Sequence, residues 1–294
     1  MKIPNLFILA TLICLMIPAA KAGNDVERFL SKAKELIKSD VDLAEDYIEK
    51  ARKLEPNNPE VAFICGRIMG KQAENSTFFA LSYAGKALAC LKDAVKNAPE
   101  KIVYRKGLLN FYLGAPSIAG GDTELALQQV HKITELDRLQ GALAEIKYLR
   151  DTEQAELLLR RFKAFSRDFP NDSEIHFKYG LHLQEQKQYQ KAYSVFVIAS
   201  SINGSNSQNL NTLYQLGRNA VFSELHTQRG IDSLNLFIVN FEKDNGLPPL
   251  EWGHYRIAQL YELVGNKKMI QFHLKEARKS NDQQLLELID KEFQ

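Results

Sequence analysis

The residue types able to do chemistry are thinly spread in this chain. Its six histidines are His131, His176, His182, His226, His254 and His273. None stands in the His-Glu-x-x-His spacing that sets two imidazoles on one helix face, and none lies at metal-ligand spacing from a cysteine. His176 and His182 are six residues apart, which puts them on different faces of a helix. No Gly-x-Ser-x-Gly elbow is present, and no acid pair stands out from ordinary surface charge. The expectation is therefore no catalytic residue, no metal site and no cofactor, in a protein that is not an enzyme.

One stretch still imitates a ligand loop. In YLGAPSIAGGDTELAL, residues 112–127, a Gly-Gly pair precedes a helix start, where free N–H groups attract anions. A phosphate loop of the Walker type needs a following lysine and a hydroxyl for Mg²⁺. Here Gly121 is followed by Asp122, Thr123 and Glu124. Asp122 fits better as the N-cap of the next helix, and its charge opposes an anion. The stretch reads as a turn in which Pro116 stops one helix and Gly120-Gly121 supplies positive φ.

The elements that would position any site are helical almost throughout. Apolar spacing follows the 3.6 period, and Pro- and Asn-rich breakers fall between segments, as in Pro56-Asn57-Asn58-Pro59 and Phe169-Pro170-Asn171-Asp172. At the N-terminus, Leu6–Ile17 is a short apolar run broken by Pro18, and Ala20-Lys21-Ala22 offers small residues at a cleavage point. The reading is a signal peptide over 1–22, cleaved after Ala22, with export to the periplasm or the secreted space. The run is too short to span a bilayer, and no later stretch reaches spanning length, so stable membrane insertion is not expected. The 38 Lys and Arg residues balance the 36 Asp and Glu once Lys2 and Lys21 leave with the leader. No net basic field remains to favour nucleic acid. Export leaves Cys65 and Cys90 as an even pair. They could be joined in a disulfide or buried separately as small apolar residues, and the sequence leaves both open.

The chain repeats itself. Ala44-x3-Ile48-x2-Ala51-x4-Pro56 recurs as Ala87-x3-Leu91-x2-Ala94-x4-Pro99 and, in part, as Ala192-x3-Phe196-x2-Ala199. A second pattern precedes it: Cys65-Gly66-x2-Met69, Tyr179-Gly180-x2-Leu183, Leu216-Gly217-x2-Ala220 and Ile257-Ala258-x2-Tyr261. In these patterns the chain resembles the tetratricopeptide-repeat family, which stacks antiparallel helix pairs of about 34 residues. The resemblance implies an all-α solenoid of about seven helix hairpins forming a superhelix, at 25–58, 59–100, 101–139, 140–172, 173–208, 209–248 and 249–282. A closing helix over 283–294 caps it. Residues 23–294 then form a single repeat domain, with Gly66, Ala87, Ala94, Gly180, Ala192, Ala199, Gly217 and Ala258 as the small residues at helix crossings. From Gly66 to Ala87 is 21 residues, against 12 from Gly180 to Ala192. The nine extra, within roughly 70–83, lengthen both helices of that hairpin or their turn. The Pro-x-Ile-x-Gly-Gly turn and the later Leu-Gly-Arg also resemble exported bacterial repeat proteins of no assigned activity.

In this family the first helix of each hairpin lines a concave groove that takes peptides. The resemblance places Phe63, Arg67, Lys106, Asn110, Tyr112, Phe177, Tyr214, Arg218, Trp252 and Tyr255 on that groove. Lys106 followed by Asn110 is similar to part of the arrangement that holds a peptide carboxylate. The expected function is a scaffold or adaptor that binds a protein or peptide partner. The alternative is an accessory protein holding a small solute in a closed apolar cavity lined by Tyr214, Phe222 and Trp252.

Overall fold

A computed structural model describes residues 19–242 and 246–293. Residues 1–18, which carry most of the expected leader, lie outside that range. Every element among the described residues is helical. The chain divides into two compact units, Met1–Thr152 and Glu153–Gln294.

The first unit holds α1 (Ala19–Leu36), α2 (Val41–Leu54), α3 (Pro59–Asn75), α4 (Ala80–Asn97), α5 (Ile102–Gly114), α6 (Thr123–Leu136) and α7 (Arg138–Asp151), with one 3-10 turn at Ser117–Ala119. α1 packs on α2, α3 on α4, and α5 on α6. The second unit holds α8 (Ala155–Asp168), α9 (Ser173–Glu185), α10 (Tyr189–Ser201), α11 (Asn206–Ser223), α12 (Thr227–Val239), α13 (Leu250–Leu263), α14 (Lys267–Ala277) and α15 (Gln283–Glu292). Here α9 pairs with α10, α11 with α12, and α13 with α14. Six of the seven expected hairpins therefore form within a unit. The exception is 140–172: α7 packs on α6 and α8 on α9, so the two helices of that stretch belong to different units.

The helices begin where the sequence supplies caps. Asp40, Asn58, Asp122, Asp137, Asp172, Ser205, Asn266 and Asp282 each accept hydrogen bonds from backbone N–H groups of the first turn. Each such cap contributes about 1 kcal/mol. Asp137 serves two helices at once, donating its N–H to Ile133 at the end of α6 and capping α7.

Helix crossings are built on small residues. Ala87, Ala94, Ala192, Ala199 and Ala258 are fully buried. A Cβ added to Gly66 would lie 2.6 Å from Leu91, one on Gly180 2.5 Å from Phe196, and one on Gly217 2.2 Å from Leu234. The larger residues between crossings form the cores, with Ile48, Ile64 and Ile68 in the first unit and Leu234, Phe237 and Ile257 in the second. The nine extra residues of the second hairpin lengthen both helices, to 17 residues in α3 and 18 in α4, and leave a short turn. Cys65 and Cys90 form a disulfide across this pair, with Cα atoms 5.9 Å apart.

Candidate functional site

The stretch 112–127 is a closed turn. Its N–H groups are already used: Gly120 bonds to Ser117, Gly121 to Pro116, and Asp122 to Tyr112. The Asp122 carboxylate accepts from the N–H groups of Glu124 and Leu125, both at 2.9 Å. Gly120 has the positive φ expected, at 97°. Gly121 does not: it is needed because a Cβ there would sit 1.7 Å from the Ala115 carbonyl oxygen. The expectation that both glycines supply positive φ is corrected in that respect.

Four of the residues expected on the groove converge. Phe63 and Arg67 from α3 meet Lys106 and Asn110 from α5, one helical turn apart on each helix, in a groove of about 730 Å³. Lys38, just past the end of α1, and Lys71 and Glu74 of α3 join them. Four cations thus face one acid. Lys71 pairs with Glu74 at 2.8 Å, and Lys106 donates to the side-chain oxygen of Gln140 on α7. Arg67 and Lys38 are exposed and form no ion pair or hydrogen bond among the described residues. Phe63 is half-buried, its ring 4.9 Å from that of Tyr104, and forms the apolar floor.

A second groove, of about 440 Å³, opens beside the first and shares Gly70, Glu74, Asn110 and Phe111 with it. Its remaining walls come from the far end of α3, the start of α4 and the Pro116–Ala119 turn.

Three expected groove residues are buried instead. Tyr112 packs in the α5–α6 core at 5% exposure, where burial raises its phenol pKa above the ordinary value. Two residues beyond Asn110 is about 200° of helix rotation, which carries Tyr112 to the opposite face. Tyr214 packs on Phe237, ring centroids 5.4 Å apart. Tyr255 lies beneath α15, where its hydroxyl donates to Glu292 at 2.6 Å. Burial and that carboxylate together drive its pKa well up. These three tyrosines are withdrawn from the groove surface by packing.

In the second unit, the remaining expected residues hold separate posts. Arg218 donates to Gln184 at 3.1 Å and to Gln215 at 3.3 Å, and its guanidinium lies 4.9 Å from the Phe222 ring centre. Arg256, absent from the sequence expectation, faces the same ring at 5.4 Å. Burial lowers the Arg218 pKa from the usual guanidinium value. Trp252 donates its indole N–H to Asp282 at 3.0 Å, and Phe177 is half-buried beside Phe196. Tyr214 is buried in a core against which Trp252 also packs, and the exposed Phe222 lies between Arg218 and Arg256, the latter also facing the Trp252 ring.

Two of the histidines, far apart in sequence, are brought together by the α13–α14 hairpin. His254 on α13 and His273 on α14 are buried with their Nδ1 atoms 2.9 Å apart, so one ring donates and the other accepts. Among the described residues, no group of three metal-ligating side chains occurs.

No protein-family model and no curated protein matches the sequence. Solved structures do. One is the hetero-tetramer of the APC/C formed by Cut9 and Hcn1, with a TM-score of 0.55 and 13% identity. That match covers 92% of this chain, which spans only 53% of the matched one. Another is a tetratricopeptide-repeat protein from Parabacteroides merdae ATCC 43184, at TM-score 0.51 and 13% identity, covering 91% of this chain and 98% of the other. At these identities the likeness is one of fold. Helix hairpins crossing on glycine and alanine, in a chain that superposes on proteins of this kind, give it the tetratricopeptide-repeat fold.

Proposed function

We propose that this chain is a non-catalytic scaffold, exported from a bacterial cell, that holds an acidic segment of a protein partner in the α3–α5 groove. The observation that carries the reading is the charge of that groove: four cations against one acid, two of the cations with no ion pair or hydrogen bond among the described residues. Surface cations are normally interspersed with acids, and a concave cluster of one sign raises the local concentration of ligands of the other. The groove is also pre-organised. α3 is tied to α4 by the disulfide, and Phe63 is packed on Tyr104, so little ordering cost falls on the scaffold when a partner binds. Repeat proteins serve widely as interaction surfaces, and the Cut9 chain is found in a hetero-tetramer with Hcn1. Export is supported by the apolar leader and by the disulfide, which forms and persists in oxidising compartments.

The test is binding of a fluorescein-labelled peptide of four consecutive glutamates, followed by anisotropy. Arg67→Ala with Lys106→Ala should weaken binding about tenfold or more while leaving circular dichroism unchanged, and added salt should weaken the wild type further. An affinity indifferent to both substitutions would remove the groove from the account. For export, expression in a bacterial host should yield a mature chain that begins at Gly23. A chain retained with Met1 at its N-terminus would refute it.

A further inference from the structure

Gly70 stands where the two grooves of the first unit meet. It lies inside α3, where glycine is a poor residue because it exposes backbone and loses the most conformational freedom. One turn earlier, Gly66 has a packing reason, since Leu91 fills the space a side chain would need. Gly70 has none: an added Cβ would meet no atom within 4 Å. The same holds for Gly114 at the end of α5, which lines the second groove. What a side chain at either position would occupy is the open space of the grooves themselves.

The second groove differs in chemistry from the first. Ala73, Ala80, Leu81, Ala84 and Phe111 line it, and its only acid, Glu74, is tied to Lys71. Leu81 is 55% exposed at its edge, and Ile118, between the lining residues Pro116 and Ala119, is 80% exposed. Its walls come from α5 and from the two departures from a regular repeat, the lengthened α3–α4 hairpin and the Pro116–Ala119 part of the turn that ends in Gly120-Gly121. Both irregularities thus contribute, with α5, to one apolar recess alongside a basic groove.

We infer that the two grooves are one bipartite site for an extended acidic peptide segment that carries a large apolar side chain. The carboxylates lie along Lys38, Arg67 and Lys106. The apolar side chain passes over Gly70 into the alanine-lined recess against Phe111. Charge complementarity selects the acidic part, and the bare backbone at Gly70 keeps the passage between the halves open. This inference rests on the reading that the basic groove takes an acidic peptide.

The probes are three labelled peptides: Ser-Glu-Glu-Glu-Glu-Phe-Ser, the reversed order Ser-Phe-Glu-Glu-Glu-Glu-Ser, and a control with serine in place of phenylalanine. In one of the two orders, phenylalanine should tighten binding about tenfold or more over the control. Gly70→Leu should abolish that gain and raise the melting temperature. Gly85→Leu, on an exposed face of α4 that also has room for a side chain but lines neither groove, should leave the gain intact. If control and phenylalanine peptides bind equally, the bipartite site is refuted while the basic groove stands. If none of the three binds, both readings fall. A gain that survives Gly70→Leu also overturns the inference. So does a dimer that Gly70→Leu dissociates in sedimentation runs without peptide, because the recess would then belong to a second copy of this chain.

Discussion

Glycines at two positions of similar helices carry opposite instructions, and a substitution at each reads them out. Gly180→Ala pushes a methyl group to within 2.5 Å of the buried Phe196 ring, and overpacking of this kind costs about 1–3 kcal/mol. Gly70→Ala meets nothing and should stabilise by up to about 1 kcal/mol through helix propensity alone. Urea melts of the two variants should therefore move in opposite directions. Equal shifts would mean that the crossing at Gly180 is looser than described. This contrast also marks how far single residues were legible in the sequence. Glycine at a repeat position was readable from its recurrence, and counting from Gly66 set Phe63 and Arg67 one turn apart on the same helix, where both line the first groove. Tyr214 and Tyr255 were not. Their burial depends on which neighbour covers them, Phe237 of α12 for one and α15 for the other, and a periodic pattern does not state which neighbour folds over which face. Arg256 and Lys38 were missed for the converse reason: a cation, half-buried like Arg256 or exposed like Lys38, looks like any other until its surroundings are seen.

At the scale of elements, the second hairpin is the one on which the site depends. Both of its helices are long, 17 residues in α3 and 18 in α4, where other pairs join one long helix to a shorter one or two shorter ones. The Cys65–Cys90 bond closes a separation of 25 residues across them. Loop entropy assigns such a bond about 3 kcal/mol, most of it through restriction of the unfolded chain. Reduction with dithiothreitol should accordingly raise amide hydrogen exchange in α3 and α4 and weaken binding of the glutamate peptide. Unaltered exchange in those two helices on reduction would show that packing alone holds the pair. Helix number and most hairpin boundaries were legible, because Pro, Asn and Asp mark the starts and apolar period marks the bodies. The disulfide was not, since sequence gives no Cα separation. Nor was the parting of α7 from α8. Both helices have hairpin-like spacing, and only their packing on α6 and α9 reveals that each belongs with the other neighbour.

For the molecule as a whole, stability in a repeat protein is close to a sum of neighbour interactions, so a local titration changes the whole only through the hairpin that holds it. The α13–α14 hairpin holds the one pair of buried histidines in mutual contact found among the described residues. Burial lowers the pKa of both from 6.5, and for His273 burial and then the proximity of His254 bring it to about 4. Glu276 opposes the shift at both rings. At His254, Glu251 also opposes it, while Lys279 adds to it. A histidine whose folded pKa is depressed binds its proton more readily when unfolded. Stability is therefore fully present above pH 6.5 and is lost as pH falls toward 4, by an amount on the order of 3 kcal/mol for His273. The hydrogen bond explains the direction structurally: one Nδ1 must remain unprotonated to accept, and a second proton removes the acceptor. The molecule supplies its own reporter, because its single tryptophan, Trp252, lies on α13 two residues before His254. Urea midpoints followed by Trp252 fluorescence should fall between pH 7 and pH 4.5 in the wild type. In His273→Gln the fall should be shallower, with a lower midpoint already at pH 7 from the lost contact. An acid slope identical in the two proteins would assign the loss to carboxylates elsewhere and leave the histidine pair as neutral packing.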